Sequence, residues 1–489
     1  MSEQVDKSDI AFLNASEIAS LIKRRKIGCV EILDHIIKRV DAYNPKLNAI
    51  VEFDLDRARA SARAADQAVL EGRPLAPLHG VPMTVKESFN ISGLRTTWGL
   101  PAYANNVASQ NALAVDRLLK AGAIIFGKTN VPPSLADSQA VNEIYGTTCN
   151  PWDLSRSPGG SSGGSAAALA AGLTFLEVGS DVAGSIRNPA NYCGVFGLKP
   201  TYGVCPATGH SIGVTLVDDD ISVIGPLARS PADLELALRA IAGPDEILAR
   251  AYSFRLPDPR KRSLDEFRVA IVTDDKRAEV DQEIQDKILE LGEFLKREHA
   301  LVSFSDRPQF DTADLDAIYM MMVRAAASVR LTDDGFEEAM SRGKECTTGE
   351  TDSMGNMLHG ITMSHREWLQ RNEQRHRMRL LWDKFFDEFD VLLCPIAVSG
   401  AFPHSDVSID RRSLFVNGRN VPYTDQLFWA GYPGLCYLPA VVAPIGFTRN
   451  GLPVGVQIVA RQYDDRTCIE FAKLIERDYQ AFEPPPDFL

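Results

Sequence analysis

No run of this sequence reaches the roughly 18 uncharged apolar residues that a membrane helix requires. The first ten residues are polar and acidic, without the basic start and apolar middle of a secretory leader. Basic charge is also short: 52 Lys and Arg against 65 Asp and Glu give a net charge of −13, which would repel a phosphate backbone. The two basic clusters, Lys23-Arg24-Arg25-Lys26 and Arg260-Lys261-Arg262, are too short to override that field and read as solvated helix ends. Eight cysteines scattered over 489 residues lack the density of a disulfide scaffold and form no C-x-x-C pair, so reduced thiols and a cytoplasmic setting are expected. There is no H-E-x-x-H and no His or Cys cluster at ligand spacing, so neither metal nor cofactor is expected. What remains, 45% hydrophobic and 24% charged residues, is the composition of a soluble globular enzyme.

Apolar spacing predicts two helices over 14–40 and another over 54–71, closed by Gly72 and a proline turn. From 82 to 224, short apolar runs alternate with helical segments: 83–85, 111–121, 123–126, 163–171 and 176–179. That alternation points to an α/β fold with a parallel or mixed sheet covered by helices. A long loop is expected over 206–220, then a helix to about 242 with Ser230 as N-cap and Pro231 in its first turn. After a Pro- and Arg-rich connector at 245–265 and a strand at 268–272, the segment 281–388 reads as largely helical, interrupted at 343–355. Strands at 391–393, 441–443 and 454–459 and a helix at 465–479 close the chain. The N-terminal helices suit either a homodimer interface or core packing.

Chemistry concentrates in three places. Ser157-Pro158-Gly159-Gly160-Ser161-Ser162-Gly163-Gly164-Ser165 runs straight into a helix former, and its four glycines cost roughly 0.5 to 1 kcal/mol each in ordering entropy, so a site explains them better than stability. Gly179-Ser180-Asp181-Val182-Ala183-Gly184-Ser185-Ile186-Arg187 follows an expected strand and holds Ser185 in a turn of small residues, where successive N–H groups can converge on a developing oxyanion. A serine nucleophile needs a base, and none of the eight histidines sits in a comparable turn beside a carboxylate. Lys86 ends an apolar strand; it is either an exposed strand-end lysine or a buried one whose lost charge makes it a base.

Taken together, Lys86, Ser161 and Ser185, the last two separated by 24 residues, resemble the amidase signature family. Leu78-His79-Gly80-Val81-Pro82, Gly225-Pro226-Leu227-Ala228-Arg229-Ser230 and Gly451-Leu452-Pro453-Val454-Gly455 agree with it. The resemblance implies one domain over 1–489, with N-terminal helices (1–74), a core (75–230), a variable helical region (245–390) and returning strands (391–489), built as a mixed central β-sheet sandwiched between helices. It implies hydrolysis of a small-molecule carboxylic amide through a seryl acyl-enzyme. Ser185 would be the nucleophile, Ser161 a proton relay with a cis peptide bond on one side, and Lys86 the uncharged base. The N–H groups of Val182, Ala183, Gly184 and Ser185 would form the oxyanion hole, and Ser162, Asp181 and Arg187 would brace the loops.

Two departures matter: Ala183 replaces a usual glycine, and Val204-Cys205-Pro206-Ala207-Thr208-Gly209-His210 is unlike the loop of glutamyl-tRNA amidotransferase A subunits. The second favours a stand-alone amidase over a component of a glutamine-dependent amidotransferase. A weaker alternative reads Gly160-Ser161-Ser162-Gly163-Gly164 as a Gly-x-Ser-x-Gly elbow, with Ser162 the nucleophile of an α/β-hydrolase-type esterase. A third makes the glycine loop an anion-binding site, although it lacks the Lys-Ser/Thr ending of a phosphate loop. By resemblance the pocket is expected along 131–145, 394–402 and 423–437, where Leu135, Ile144, Phe402, Leu427, Phe428, Trp429 and Tyr432 suggest an apolar acyl or aryl group.

Overall fold

The computed structural model describes residues 10–212, 218–345 and 353–489. The polar start at 1–9, the middle of the expected loop at 206–220 and most of the interruption at 343–355 lie outside the described residues.

The two N-terminal helices run Ala15–Lys23 and Cys29–Leu47. Their apolar stripes, Ile18 and Ile22 on the first and Ile32, Leu33, Ile36 and Ile37 on the second, are buried within the chain itself, which is core packing. The first helix leaves N–H groups unpaired at its start, as every helix does. Asp233, from the helix Pro231–Ile241, accepts two of them, Ala15 N–H at 2.6 Å and Ser16 N–H at 3.0 Å. Helix 231–241 itself starts as expected, with Ser230 Oγ accepting from Asp233 N–H at 3.2 Å and proline at the first position.

The central sheet is mixed and has eight strands among the described residues. Its spatial order is Leu301–Ser303, Arg268–Ile271, Val391–Cys394, Pro453–Val459, Ala440–Phe447, Phe196–Lys199, Val223–Ala228, Glu177–Asp181. The first three strands pair in parallel and the rest antiparallel. Val391–Cys394 and Pro453–Val459 are buried at every position, as strands covered on both faces must be. Pairing joins segments far apart in the chain; Val391 lies opposite Val269, and Leu392 opposite Val459.

A smaller sheet of Ile50–Phe53, Ile124–Thr129 and Pro82–Lys86 lies against the Glu177–Asp181 edge. Thr84 ties the two, its N–H donating to Thr174 Oγ1 at 3.0 Å and its hydroxyl to Glu177 Oε1. Ile50–Phe53 and the helix Arg187–Cys193 have no counterpart among the sequence expectations, because segments this short carry too little periodicity. Helix Gly163–Ala170 is buried on all sides, which accounts for its run of alanines.

Candidate active site

Strand Pro82–Lys86 is buried at all five positions, so its last side chain emerges into the interior between the two sheets. The exposed alternative for Lys86 is therefore excluded: its ammonium group is fully buried and donates to Ser161 Oγ at 2.6 Å and to Ser180 Oγ at 2.9 Å. Burial lowers its pKa to about 7, opposed by the charges of Asp181, Glu177 and Glu87. Burial also raises Glu177 to about 8, against hydrogen bonds that favour its ionised form.

Ser161 and Ser162 close the glycine loop at the start of helix Gly163–Ala170. The Gly160–Ser161 peptide is cis, which places the bond left open above on the Gly160 side. The glycines allow close packing of the loop against the scaffold, and Gly160 also lines the cavity. A Cβ on Gly160 would lie 2.2 Å from Asp137 O, and one on Gly164 2.3 Å from Asn130 N. Ser162 turns away from the cavity: it is fully buried, its Oγ donates to Ser180 O at 3.5 Å, and its N–H donates to Ser185 O at 3.1 Å, joining the two loops.

The second loop leaves the edge strand at Asp181. Asp181 and Arg187 are fully buried and paired twice, Arg187 Nη2 to Oδ1 at 2.8 Å and Nε to Oδ2 at 3.0 Å. Burial alone would raise Asp181; the Arg187 guanidinium outweighs it and holds the carboxyl below the usual carboxylate range. Arg187 Nη1 also donates to Ala430 O at 2.8 Å and to Gln457 Oε1 at 2.7 Å, anchoring the loop to helix Gln426–Gly434 and strand Pro453–Val459.

The same carboxylate accepts Gly184 N–H at 2.9 Å and Ile186 N–H at 3.1 Å. Gly184 was expected to donate to the oxyanion; its N–H instead points at Asp181, because the left-handed turn at φ 92° rotates that peptide inward. The N–H groups of Val182, Ala183 and Ser185 have no acceptor among the described residues. Tyr319 Oη donates to Val182 O at 3.1 Å, a brace absent from the sequence expectations, as was the Ser180 contact with Lys86.

One cavity opens onto Ser161, Ser180, Val182, Ala183 and Ser185, with Ser185 partly exposed in it. Leu135 and Leu427 line it as expected. Ile144, Phe402, Phe428, Trp429 and Tyr432 do not; Trp429 and Tyr432 are packed with Trp382 and Phe428 in the core instead. Their place is taken by Tyr319, Met320, Val323, Arg324 and Ala327, one face of helix Thr312–Ser328, and by Met357. His210 also lines the cavity, edge-on to Phe89 at 4.9 Å. Burial and then the charge of Lys86 push its imidazole well below the ordinary value, and its Nε2 has no partner among the described residues. Among the described residues no group of three His, Cys, Asp or Glu side chains could hold a metal ion, and no helix is long and apolar enough to cross a membrane.

The amidase family model matches residues 31–469. The chain is 34% identical to an acylamidase of Rhodococcus erythropolis, over 100% of this chain and 98% of that protein. It is 30% identical to the glutamyl-tRNA(Gln) amidotransferase A chain of Synechococcus sp. (strain CC9311), over 94% of this chain and 96% of that one. Among solved structures, a bacterial aryl acylamidase of the amidase signature family superposes with a TM-score of 0.81 at 23% identity, covering 98% of this chain and 97% of the other.

Proposed function

The chain belongs to the amidase signature family and hydrolyses carboxylic amides, and from that premise we propose that Ser185 is its nucleophile, Ser161 its proton relay and Lys86 its base. The observation that carries this assignment is a fully buried lysine with a pKa near 7, 2.6 Å from Ser161 and beneath the cavity that contains Ser185. Burial disfavours the ammonium form of such a lysine, and an uncharged amine is a base.

In the proposed reaction Lys86 takes a proton by way of Ser161 from Ser185, whose Oγ attacks the amide carbonyl. The oxyanion is met by the unpaired N–H groups of Val182, Ala183 and Ser185, each such donor being worth about 2.7 to 4 kcal/mol of barrier. The stored proton returns to the leaving amine, and water repeats the sequence to free the acid. Asp181 and Arg187 hold the donors in place, and Ser162 fastens the two serine loops. An apolar acyl or aryl portion suits the wall of Leu135, Met320, Val323, Met357 and Leu427. We read residues 1–489 as one domain acting in the cytoplasm, where the seven described cysteines, all free, would stay reduced.

A fluorophosphonate probe followed by peptide mass spectrometry should place the adduct on Ser185, and the purified chain alone should cleave aryl anilides. An adduct on Ser162 would replace this reading with the esterase elbow. Turnover only with partner chains and glutamine would favour a role within an amidotransferase complex, the activity named for the Synechococcus relative.

A further inference from the structure

The charges around the cavity do not cancel. Three carboxylates line it, and each has its own arginine. Asp137 accepts from Arg412 Nη1 at 2.8 and 3.0 Å, Asp219 pairs with Arg330, and Asp220 accepts from Arg375 Nη1 at 3.0 and 2.8 Å. Tyr423 and Tyr437 donate further hydrogen bonds to Asp137 and Asp220, at 2.6 and 2.5 Å. His210 is kept neutral by burial. Arg324 remains. It lines the same cavity, only partly exposed, and its guanidinium has no carboxylate partner among the described residues; its side-chain contact is Nη2 to the Met357 sulfur at 3.5 Å. An arginine half withdrawn from water and left unpaired costs stability unless an anion completes it. Its planar donor fork is suited to a carboxylate.

We propose that the cavity takes amides that carry a carboxylate, held by Arg324, with an apolar spacer between that carboxylate and the scissile amide. This inference rests on the assignment of Ser185 as the reacting serine and names the substrate class of that site. Tyr319 and Arg324 lie on one helix five residues apart, about 7.5 Å along its axis at roughly 1.5 Å per residue. Tyr319 holds the Val182 carbonyl beside the oxyanion donors, and Arg324 lines the same cavity from further along that helix. Met320 and Val323, between them on the cavity wall, face the intervening part of the substrate. The carboxylate can belong to the acyl or to the amine half.

Matched substrates separate these cases. For the acyl side, succinyl 4-nitroanilide is compared with its uncharged isostere, 4-methylpentanoyl 4-nitroanilide. For the amine side, N-butyryl-4-aminobenzoate is compared with N-butyryl-4-toluidine. The wild-type protein should prefer the acid in one pair by at least 10-fold in kcat/KM, with the gain in KM and diminishing as salt is raised. Arg324→Ala should collapse that acid-to-neutral ratio to about 1, and Arg324→Lys should restore part of it. Equal or inverse preference in both pairs for the wild type overturns the proposal without recourse to a variant, as does an unchanged ratio in folded Arg324→Ala. Turnover of the neutral anilides together with labelling of Ser185 reports on the catalytic assignment separately, so its failure is distinguishable from failure of this one.

Discussion

Replacing Lys86 by methionine should abolish amide hydrolysis and stabilise the fold at neutral pH. The side chain is fully buried, and its pKa falls from the ordinary 10.5 to about 7 because burial penalises the ammonium form. Between those two values the unfolded chain holds a proton that the folded chain has released, so wild-type stability rises with pH across this window, by up to about 1.4 kcal/mol per unit. Below about pH 7 both states are protonated and the full penalty of burying the charge is present, roughly 5 kcal/mol. At pH 7 about 4 kcal/mol of it remains, and at pH 10 about 1. Methionine has nearly the same length and no proton to lose, so its variant escapes this penalty. It also deprives Ser161 and Ser180 of their shared partner, which costs about 1 to 3 kcal/mol. The variant should therefore be more stable than wild type by roughly 2 kcal/mol near pH 7, with the advantage vanishing near pH 9. Titrating groups remote from Lys86 act on both proteins alike and drop out of the difference. Urea unfolding of the two proteins at pH 7, 8, 9 and 10, beside anilide turnover, measures this directly. Stability curves that run parallel across that range would refute a buried lysine of lowered pKa, and an active variant would refute its role as base.

Four other substitutions test neighbouring parts of the argument. Ser185→Ala should lower kcat by about 10⁴-fold or more, whereas Ser162→Ala, which removes a structural hydroxyl, should cost less than 10-fold, as anilide kinetics will show; the reverse order would support the esterase elbow. Tyr319→Phe removes the hydroxyl that steadies the Val182 carbonyl, and kcat should fall about 5-fold with KM little altered, since about 1 kcal/mol of preorganisation is lost. Gly164→Ala forces a methyl to within 2.3 Å of Asn130 N, and the thermal midpoint should drop by the equivalent of about 3 kcal/mol or the chain should fail to fold; a wild-type melting curve would show that the loop has room to move.

Local pattern in the sequence was enough to identify the elements with long, regular spacing. The helices at Ala15–Lys23, Leu55–Leu70 and Pro231–Ile241 follow from apolar periodicity and capping residues, which depend only on neighbours. The juxtaposition of Ser161 and Lys86 was legible only through resemblance, since 75 residues separate them and no spacing rule acts over that distance. The pocket was misjudged where helix Gln426–Gly434 turns Trp429 and Tyr432 into the core, because an aromatic residue reads the same in sequence whether it faces a cavity or a neighbour.

By itself the sequence determined an α/β chain with two serine loops rich in small residues, a lysine at a strand end and an excess of acidic charge. Whether that lysine is buried or exposed, and which peptide N–H groups lack an acceptor and which cavity arginine lacks a carboxylate partner among the described residues, were decided by tertiary structure. These properties depend on desolvation and on pairing between segments far apart in the chain, and both exist only once the sheets have closed around them.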